Sequence, residues 1–154
     1  MKNLAIIIFL VYSYSGYAQV IKHDMSGVPK NANKIVVSNQ MTFDENYNYV
    51  GKILVQSGFG LKNTNKDFGL FETTPKMMNR KPGWTGIFNV VVSDSLITIT
   101  GQFTAGVSVE FGAGVRSEAT YYEIKYMGKG IFDNSAFFEM MDLAMKFGSK
   151  GYVH

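Results

Sequence analysis

The sequence predicts an α+β domain in which five or six antiparallel strands form one sheet and two helices pack on one of its faces. Three observations lead to this prediction: short runs rich in β-branched residues, a complete helix-capping motif, and a second helical apolar period near the carboxyl end. The 154 residues are 46% hydrophobic and 18% charged, which suffices for one core and is too apolar for intrinsic disorder. We therefore expect a single domain over residues 34–154.

The first eighteen residues have the features of an export signal. Lys2 supplies a positive charge, the apolar run Leu4–Tyr12 follows, and Ala18 ends the segment with a small side chain. A transmembrane anchor is disfavoured, because this apolar run is well short of the roughly 20 residues that span a bilayer as a helix. We expect residues 1–18 to be removed before Gln19, which leaves a periplasmic or extracellular protein without a membrane anchor.

Residues 19–33 show no sustained period and predict an irregular N-terminal segment, after which the first regular elements begin. Lys34–Ser38 is a β-branched run that indicates a buried strand. Thr42 and Glu45 have the spacing of a capping box, which marks the start of a helix. Gly51 inside this helix either permits close packing or weakens it. Apolar residues follow with helical spacing before a stop at Gly58: Phe43, Tyr47, Val50 and Leu54.

The middle of the chain is composed of strand segments separated by turn residues. In Leu96–Phe103 apolar residues alternate with polar ones, so we expect Ile99 on a buried face and Thr98 on a wetter one. The lack of charged residues in Leu96–Val109 places this strand inside the sheet. The expected strands are Gly60–Thr64, Gly69–Thr74, Thr85–Ser93, Leu96–Phe103, Val107–Phe111 and Tyr122–Tyr126, with a tight hairpin at Asp94 and a turn at Gly112–Gly114.

A final helix is expected to extend through about Phe147 and to end at Gly148. Asp133 or Asn134 can cap its first turn, and Glu139 is expected on its outer, solvated face. Its apolar face is composed of Phe137, Met140, Met141, Ala144 and Phe147.

Several of these segments together resemble a known family. They are Gly58-Phe59 before a strand, Phe68-Gly69-Leu70 with Thr73-Thr74-Pro75, Ile97–Phe103, and Leu143–Phe147. This combination, which covers Lys34–Phe147, resembles a DUF4468-type family of small exported Bacteroidetes proteins of uncharacterised function with a TATA-box-binding-protein-like fold. The resemblance implies a curved antiparallel sheet backed by two helices, and it implies no catalytic residue. A fold shared with a DNA-binding protein is no evidence that an exported domain binds DNA.

The residue types on which catalysis and metal binding usually depend are scarce. Cysteine is absent, and the two histidines, His23 and His154, lie outside any periodic segment that could hold a general base in place. Glu118 and Glu123 are five apart on an expected strand and therefore face opposite sides, which disfavours paired-carboxylate hydrolysis. The spacings of calcium loops and phosphate-binding loops are also absent. We expect no cofactor, no metal site and no enzymatic activity.

The segment Lys76–Trp84 is the candidate partner-binding loop. It lies in a stretch without acidic residues and combines cations with adaptable apolar side chains, so it could grip an anionic or aromatic partner. Alternatively, its apolar side chains cover the edge of the core while its cations stay solvated. The candidate residues are Lys76, Met77, Met78, Arg80, Lys81 and Trp84.

These observations favour a non-catalytic module that binds another envelope macromolecule, such as a protein. The formal net charge of +3 is too small to indicate a nucleic acid partner. The alternative is a carrier that holds a small apolar ligand between helices and sheet, lined by methionines and by Phe43, Tyr47, Phe137 and Phe138. An enzyme that uses hydroxyl and carboxyl groups is a third hypothesis.

Overall fold

The computed structural model describes Met25 and residues 27–105, 119–129, 133–148 and 151–153. Within these ranges one open antiparallel sheet is covered on one face by two helices, so the α+β prediction is confirmed. The expected export signal, the expected strand Val107–Phe111 and the turn at Gly112–Gly114 lie outside the described residues. The same holds for His23, Glu118 and His154.

Six strands form the continuous path of the sheet, in the order β2-β3-β5-β6-β1-β8. Two further strands contain only two residues each: β4 pairs with β5, and β7 pairs with β6. The strands are β1 (Lys34–Ser38), β2 (Leu61–Asn65), β3 (Leu70–Thr73), β4 (Lys76–Met77), β5 (Trp84–Ser93), β6 (Leu96–Ala105), β7 (Tyr122–Glu123) and β8 (Gly151–Val153). The helices are α1 (Phe43–Gln56) and α2 (Ser135–Phe147).

The β5–β6 hairpin forms the centre of the sheet, as the uncharged sequence of β6 predicts. Its tight turn includes Ser95, which adopts a left-handed conformation with φ of 61°. Ile97 and Ile99 are fully buried beneath the helices, whereas Thr98 on the opposite face is only half-buried. The alternation predicted for this strand is therefore confirmed, and the core lies between the sheet and the two helices.

Helix α1 begins at the predicted capping box. The Glu45 N–H donates to Thr42 Oγ1 at 3.5 Å, and the Glu45 carboxylate accepts from the Thr42 N–H at 2.8 Å. This backbone hydrogen bond lowers the pKa of Glu45 below its usual range. The helix stops before Gly58, whose φ of 75° suits glycine. Gly51 serves close packing, because a Cβ atom there would lie 3.3 Å from the ring of Phe71.

Asn46 is a buried polar residue of α1 that the apolar pattern did not predict. Its Nδ2 donates to the carbonyl oxygen of Ser93 at 2.8 Å, and its Oδ1 accepts from Asn39 Nδ2 at 2.6 Å. The backbone N–H of Phe43 donates to Asp94 Oδ1 at 2.7 Å. These side-chain hydrogen bonds attach the first turn of α1 to the β5–β6 hairpin.

The strand predicted over Tyr122–Tyr126 is wrong beyond Glu123. Ile124 and Tyr126 are buried as their alternation suggests, but the Ile124 N–H makes the last backbone hydrogen bond to β6, at 2.9 Å to the Gly101 carbonyl, and the chain then turns away from the sheet. The Tyr126 N–H donates to the Ala32 carbonyl at 2.8 Å, and its carbonyl accepts from the Asn31 N–H at 2.7 Å. The irregular segment before β1 thus supplies backbone partners that another strand would otherwise provide.

Helix α2 has the predicted extent and ends before Gly148. Asn134 occupies the N-cap, but its side chain binds the Met127 N–H at 2.7 Å and the Gly128 carbonyl at 2.8 Å rather than the helix. Asp133 Oδ1 instead accepts from the Ser135 N–H at 2.9 Å. No helix among the described residues is long and apolar enough to cross a membrane. Strand β8, which pairs with β1, was not predicted.

Candidate functional site

The predicted partner-binding loop is a short connection between β4 and β5 that packs against helix α2. Its ends are strands rather than loop, because Lys76 and Met77 form β4 and Trp84 begins β5. The Met78 N–H donates to the Trp84 carbonyl at 2.9 Å, and Gly83 provides a left-handed turn with φ of 90°. We call residues Lys76–Trp84 the basic segment.

Arg80 anchors the basic segment to α2 through a two-pronged contact with Asp142. Its Nε donates to Asp142 Oδ2, and its Nη2 donates to Asp142 Oδ1 at 2.8 Å. Both side chains are 28% exposed, so water only partly screens the pair. The hydrogen bond to Asp142 raises the pKa of Arg80 above its ordinary value. The guanidinium also lies over the ring of Phe138, 5.8 Å from its centroid.

Glu139 lies beneath this anchor, and its predicted place on the solvated face of α2 is wrong. Its side chain is only 7% exposed because the basic segment covers it. Asn79 Nδ2 donates to Glu139 Oε1 at 2.8 Å, and the backbone N–H of Arg80 donates to Oε2 at 3.1 Å. Each oxygen of this buried carboxylate thus accepts one hydrogen bond from a neutral amide group.

Lys81 forms a second contact between the basic segment and the start of α2. Its Nζ lies 2.7 Å from Asp133 Oδ2 and 5.3 Å from the ring centroid of Trp84. The hydrogen bond from Lys81, aided by those from Ser135, lowers the pKa of Asp133 to about 2. The positive charge of Lys81 is therefore committed to a contact within the protein.

Lys76, the first cation of the segment, binds the end of helix α1. Its Nζ donates to the Ser57 carbonyl oxygen at 2.6 Å and lies 4.2 Å from the ring centroid of Phe59. A cation at this place suits the negative end of the helix dipole, and the last turn of α1 contains no basic residue of its own. Lys146 of α2 reaches the same residue, donating from Nζ to Ser57 Oγ at 3.0 Å.

The apolar members of the basic segment have three different environments. Met78 is buried against Gly86, whereas Met77 is 65% exposed. The ring of Trp84 stacks on Phe103 with centroids 4.7 Å apart and an interplanar angle of 13°. Because Lys81 and Phe103 lie against the Trp84 ring, this tryptophan is largely engaged within the protein.

A partly open cleft of about 190 Å³ lies between the end of α1, the basic segment and α2. We call it the charged cleft, because two lysines and two carboxylates line it together with one amide and two apolar side chains. Its lining residues are Lys76, Lys146, Glu139, Asp142, Asn79, Phe59 and Leu143. Of these, only Lys76 belongs to the candidate partner-binding residues expected from the sequence.

One sequence signal points to this arrangement. Glu139 and Asp142 are three residues apart and so share one face of α2. The basic segment contains three cations and no carboxylate to pair them with. An acidic helix face and an unpaired basic segment are complementary, but the sequence contains no measure of their separation in space.

Two further acidic residues of the described part of the chain, Glu123 and Asp44, lie in contact with lysines. Glu123 binds Lys125 Nζ at 2.8 Å and Asn33 Nδ2 at 2.5 Å, and these hydrogen bonds lower its pKa. Asp44 binds Lys66 at 2.8 Å, and this contact raises the pKa of the lysine. No group of three or more His, Asp or Glu residues within the described ranges could hold a metal ion.

No protein-family model matches this chain, and no curated protein matches it. The resemblance to the exported Bacteroidetes family therefore stays a prediction from the sequence.

Proposed function

We propose that this chain is a non-catalytic module, exported to the cell envelope, that binds another envelope macromolecule through its sheet. The contact surface is the sheet face opposite α1 and α2, which we call the open face. Within the described residues no helix lies on it. A protein is the partner that this face suits best, because its side chains combine aliphatic groups with mainly uncharged polar ones.

One row of side chains across the open face carries this proposal. The strand register places Leu70 opposite Val91, Val91 opposite Thr98, and Thr98 opposite Val36. These four residues cross β3, β5, β6 and β1, a width of about 14 Å at the usual strand spacing of about 4.8 Å. Val91 is 42% exposed, although β5 is a central strand of the sheet. A row of three aliphatic side chains and one threonine, at least partly exposed on neighbouring strands, is typical of a contact surface rather than of a solvated one.

The neighbouring row gives the open face polarity and direction. Asn89 and Thr100 form its centre, with Glu72 at one end and Lys34 at the other. A partner would therefore meet an aliphatic row beside a polar row that is negative at β3 and positive at β1. Such a pattern favours one orientation of the bound partner.

The basic segment contributes to this surface through Met77. Its register opposite Thr85 places it at the margin of the open face. The cations Lys76, Arg80 and Lys81 instead hold the segment to the two helices. A test that replaces Arg80 would disturb this internal anchor, so exposed residues of the open face are the appropriate targets.

The alternative of an apolar carrier receives less support from the packing. Tyr47, expected to line a cavity, lies 4.4 Å from the ring centroid of Phe71. Phe137 is fully buried and lies 5.5 Å from the ring centroid of Tyr126. Rings at these separations contact one another directly, as in an ordinary core.

Site-specific photocrosslinking in the native host tests the proposal. A photoreactive phenylalanine analogue at Val91 should form a covalent adduct of one defined mass in the envelope fraction. The matched control is the same analogue at Lys52, which is exposed on α1 on the helix side. The Val91→Asp variant should lose the adduct formed by an analogue at Met77, whereas Lys52→Asp should keep it. Absence of an adduct at Val91, or equal adducts at Val91 and Lys52, would remove the open face from the proposal.

A further inference from the structure

We propose that the charged cleft is a binding site for a small zwitterion that carries one ammonium and one carboxylate group, of amino-acid to dipeptide size. This site lies on the helix side of the protein, away from the open face, and does not depend on the proposed envelope contact. The cleft contains a positive pole and a negative pole, each defined by its contacts.

The positive pole consists of two ammonium groups that meet at one residue. Lys76 donates to the carbonyl oxygen of Ser57 at 2.6 Å, and Lys146 donates to its hydroxyl oxygen at 3.0 Å. Neither lysine forms an ion pair with a carboxylate of the described residues. Two like charges held together with only uncharged partners attract an anion, and each ammonium has further N–H donors to offer it. A ligand carboxylate meets both needs.

The negative pole is the buried carboxylate of Glu139. Its hydrogen-bond donors are the amide of Asn79 and the backbone N–H of Arg80, which are both uncharged. The guanidinium of Arg80 forms its ion pair with Asp142 and acts on Glu139 only at longer range, so one cation serves two carboxylates. A buried carboxylate is costly when its charge is not fully balanced. An ammonium group of a ligand in the cleft would supply that charge and use the remaining lone pairs.

The separation of the two poles and the volume of the cleft limit the size of the ligand. Glu139 and Lys146 are about two helical turns, or about 10 Å, apart along α2 and share one face of it. An extended dipeptide spans at most about 7 Å, and a hydrogen bond of about 3 Å at each charged end adds to that reach. The cleft volume of about 190 Å³ lies below the range of about 300–1,000 Å³ typical of drug-sized ligands. Phe59 and Leu143 provide apolar contact for the body of such a molecule.

Isothermal titration calorimetry with the folded protein tests this site. The probes are L-leucine and L-leucyl-L-leucine, which carry both charges, and N-acetyl-L-leucine and L-leucinamide, which lack one charge each. We expect at least one zwitterion to bind and the capped molecules to bind about tenfold more weakly, because each leaves one pole unpaired. Binding of leucine together with the dipeptide supports a free amino acid as ligand, and binding of the dipeptide alone supports a peptide.

Two variants of exposed lysines make the test specific to the cleft. Lys146→Gln keeps a donor for Ser57 but removes the charge, so it should weaken zwitterion binding about tenfold. Lys52→Gln, on the exposed side of α1, should leave binding unchanged. Thermal melting verifies that both variants fold. The inference is overturned if no zwitterion binds at millimolar concentration, if the capped probes bind equally well, or if Lys146→Gln binds like the unmodified protein. None of these results affects crosslinking at Val91.

Discussion

Replacement of Ile99 by alanine should destabilise this protein far more than replacement of Thr98, its neighbour in β6. Ile99 is fully buried, lying between Ile35 of β1 and Val90 of β5. Ile99→Ala removes three carbon groups, each worth about 0.8 kcal/mol when buried, so transfer alone costs about 2.4 kcal/mol. The cavity left in a rigid sheet core adds about 1 kcal/mol or more, for a total of about 3–4 kcal/mol. Thr98→Ala, on the half-buried open face, should cost within about 1 kcal/mol.

Urea denaturation followed by circular dichroism measures both free energies of unfolding. Ile99→Val, which removes one carbon group, serves as an intermediate and should cost about 1 kcal/mol. Equal losses for Ile99→Ala and Thr98→Ala would mean that both faces of β6 are buried, which would contradict the open face. A larger loss of stability for Thr98→Ala than for Ile99→Ala would mean that Thr98, and not Ile99, faces the core.

Three further changes test other parts of the fold by thermal or urea unfolding. Thr42→Ala should destabilise α1 by about 1 kcal/mol, and Thr42→Ser should restore most of the loss; an equal loss for both would contradict the capping role. The pKa of Asp133 is lowered from 3.8 to about 2, chiefly by Lys81, so its contribution is complete above pH 3.8 and is lost as the pH falls through about 2. Asp133→Asn should therefore lower Tm at pH 6 and have little effect near pH 2, whereas a pH-independent loss would refute the linkage. Gly69→Ala should lower the free energy of unfolding clearly more than Gly27→Ala does. Both glycines have positive φ, so both variants are strained. At Gly69, however, a Cβ would lie 2.3 Å from a carbonyl oxygen, whereas Gly27 faces open space. Equal losses would show that this contact relaxes.

Local chemistry made the principal elements of the fold predictable. The capping box of Thr42 and Glu45 acts within a single helical turn, so its residues suffice to locate the start of α1. The alternation of Ile97, Thr98 and Ile99 reports which face of β6 is buried, because the period of a strand is two. The prediction of strands was wrong where the backbone forms hydrogen bonds with distant segments of the chain. Tyr122–Tyr126 has the alternation of a strand, but Tyr126 forms its hydrogen bonds with the segment before β1.

The candidate site was only partly visible in the sequence. The cations of the basic segment were found, yet their partners lie far away along the chain, Ser57 for Lys76, Asp142 for Arg80 and Asp133 for Lys81. The prediction for Glu139 was wrong because a helical pattern shows only which face of a helix is apolar and which is polar. It does not show that a distant segment covers part of the polar face and supplies amide donors to a carboxylate there.

The sequence by itself determined that this chain forms an α+β domain, where both helices begin and end, and which face of the central strand is buried. Those properties follow from periodicity and capping, which depend on neighbours within a few residues. Only the tertiary structure decided that Lys76 and Lys146 meet at Ser57 and that Glu139 lies buried opposite them. Charge attraction acts through space, so the charge balance of a cleft depends on distances between segments that no spacing along the chain records.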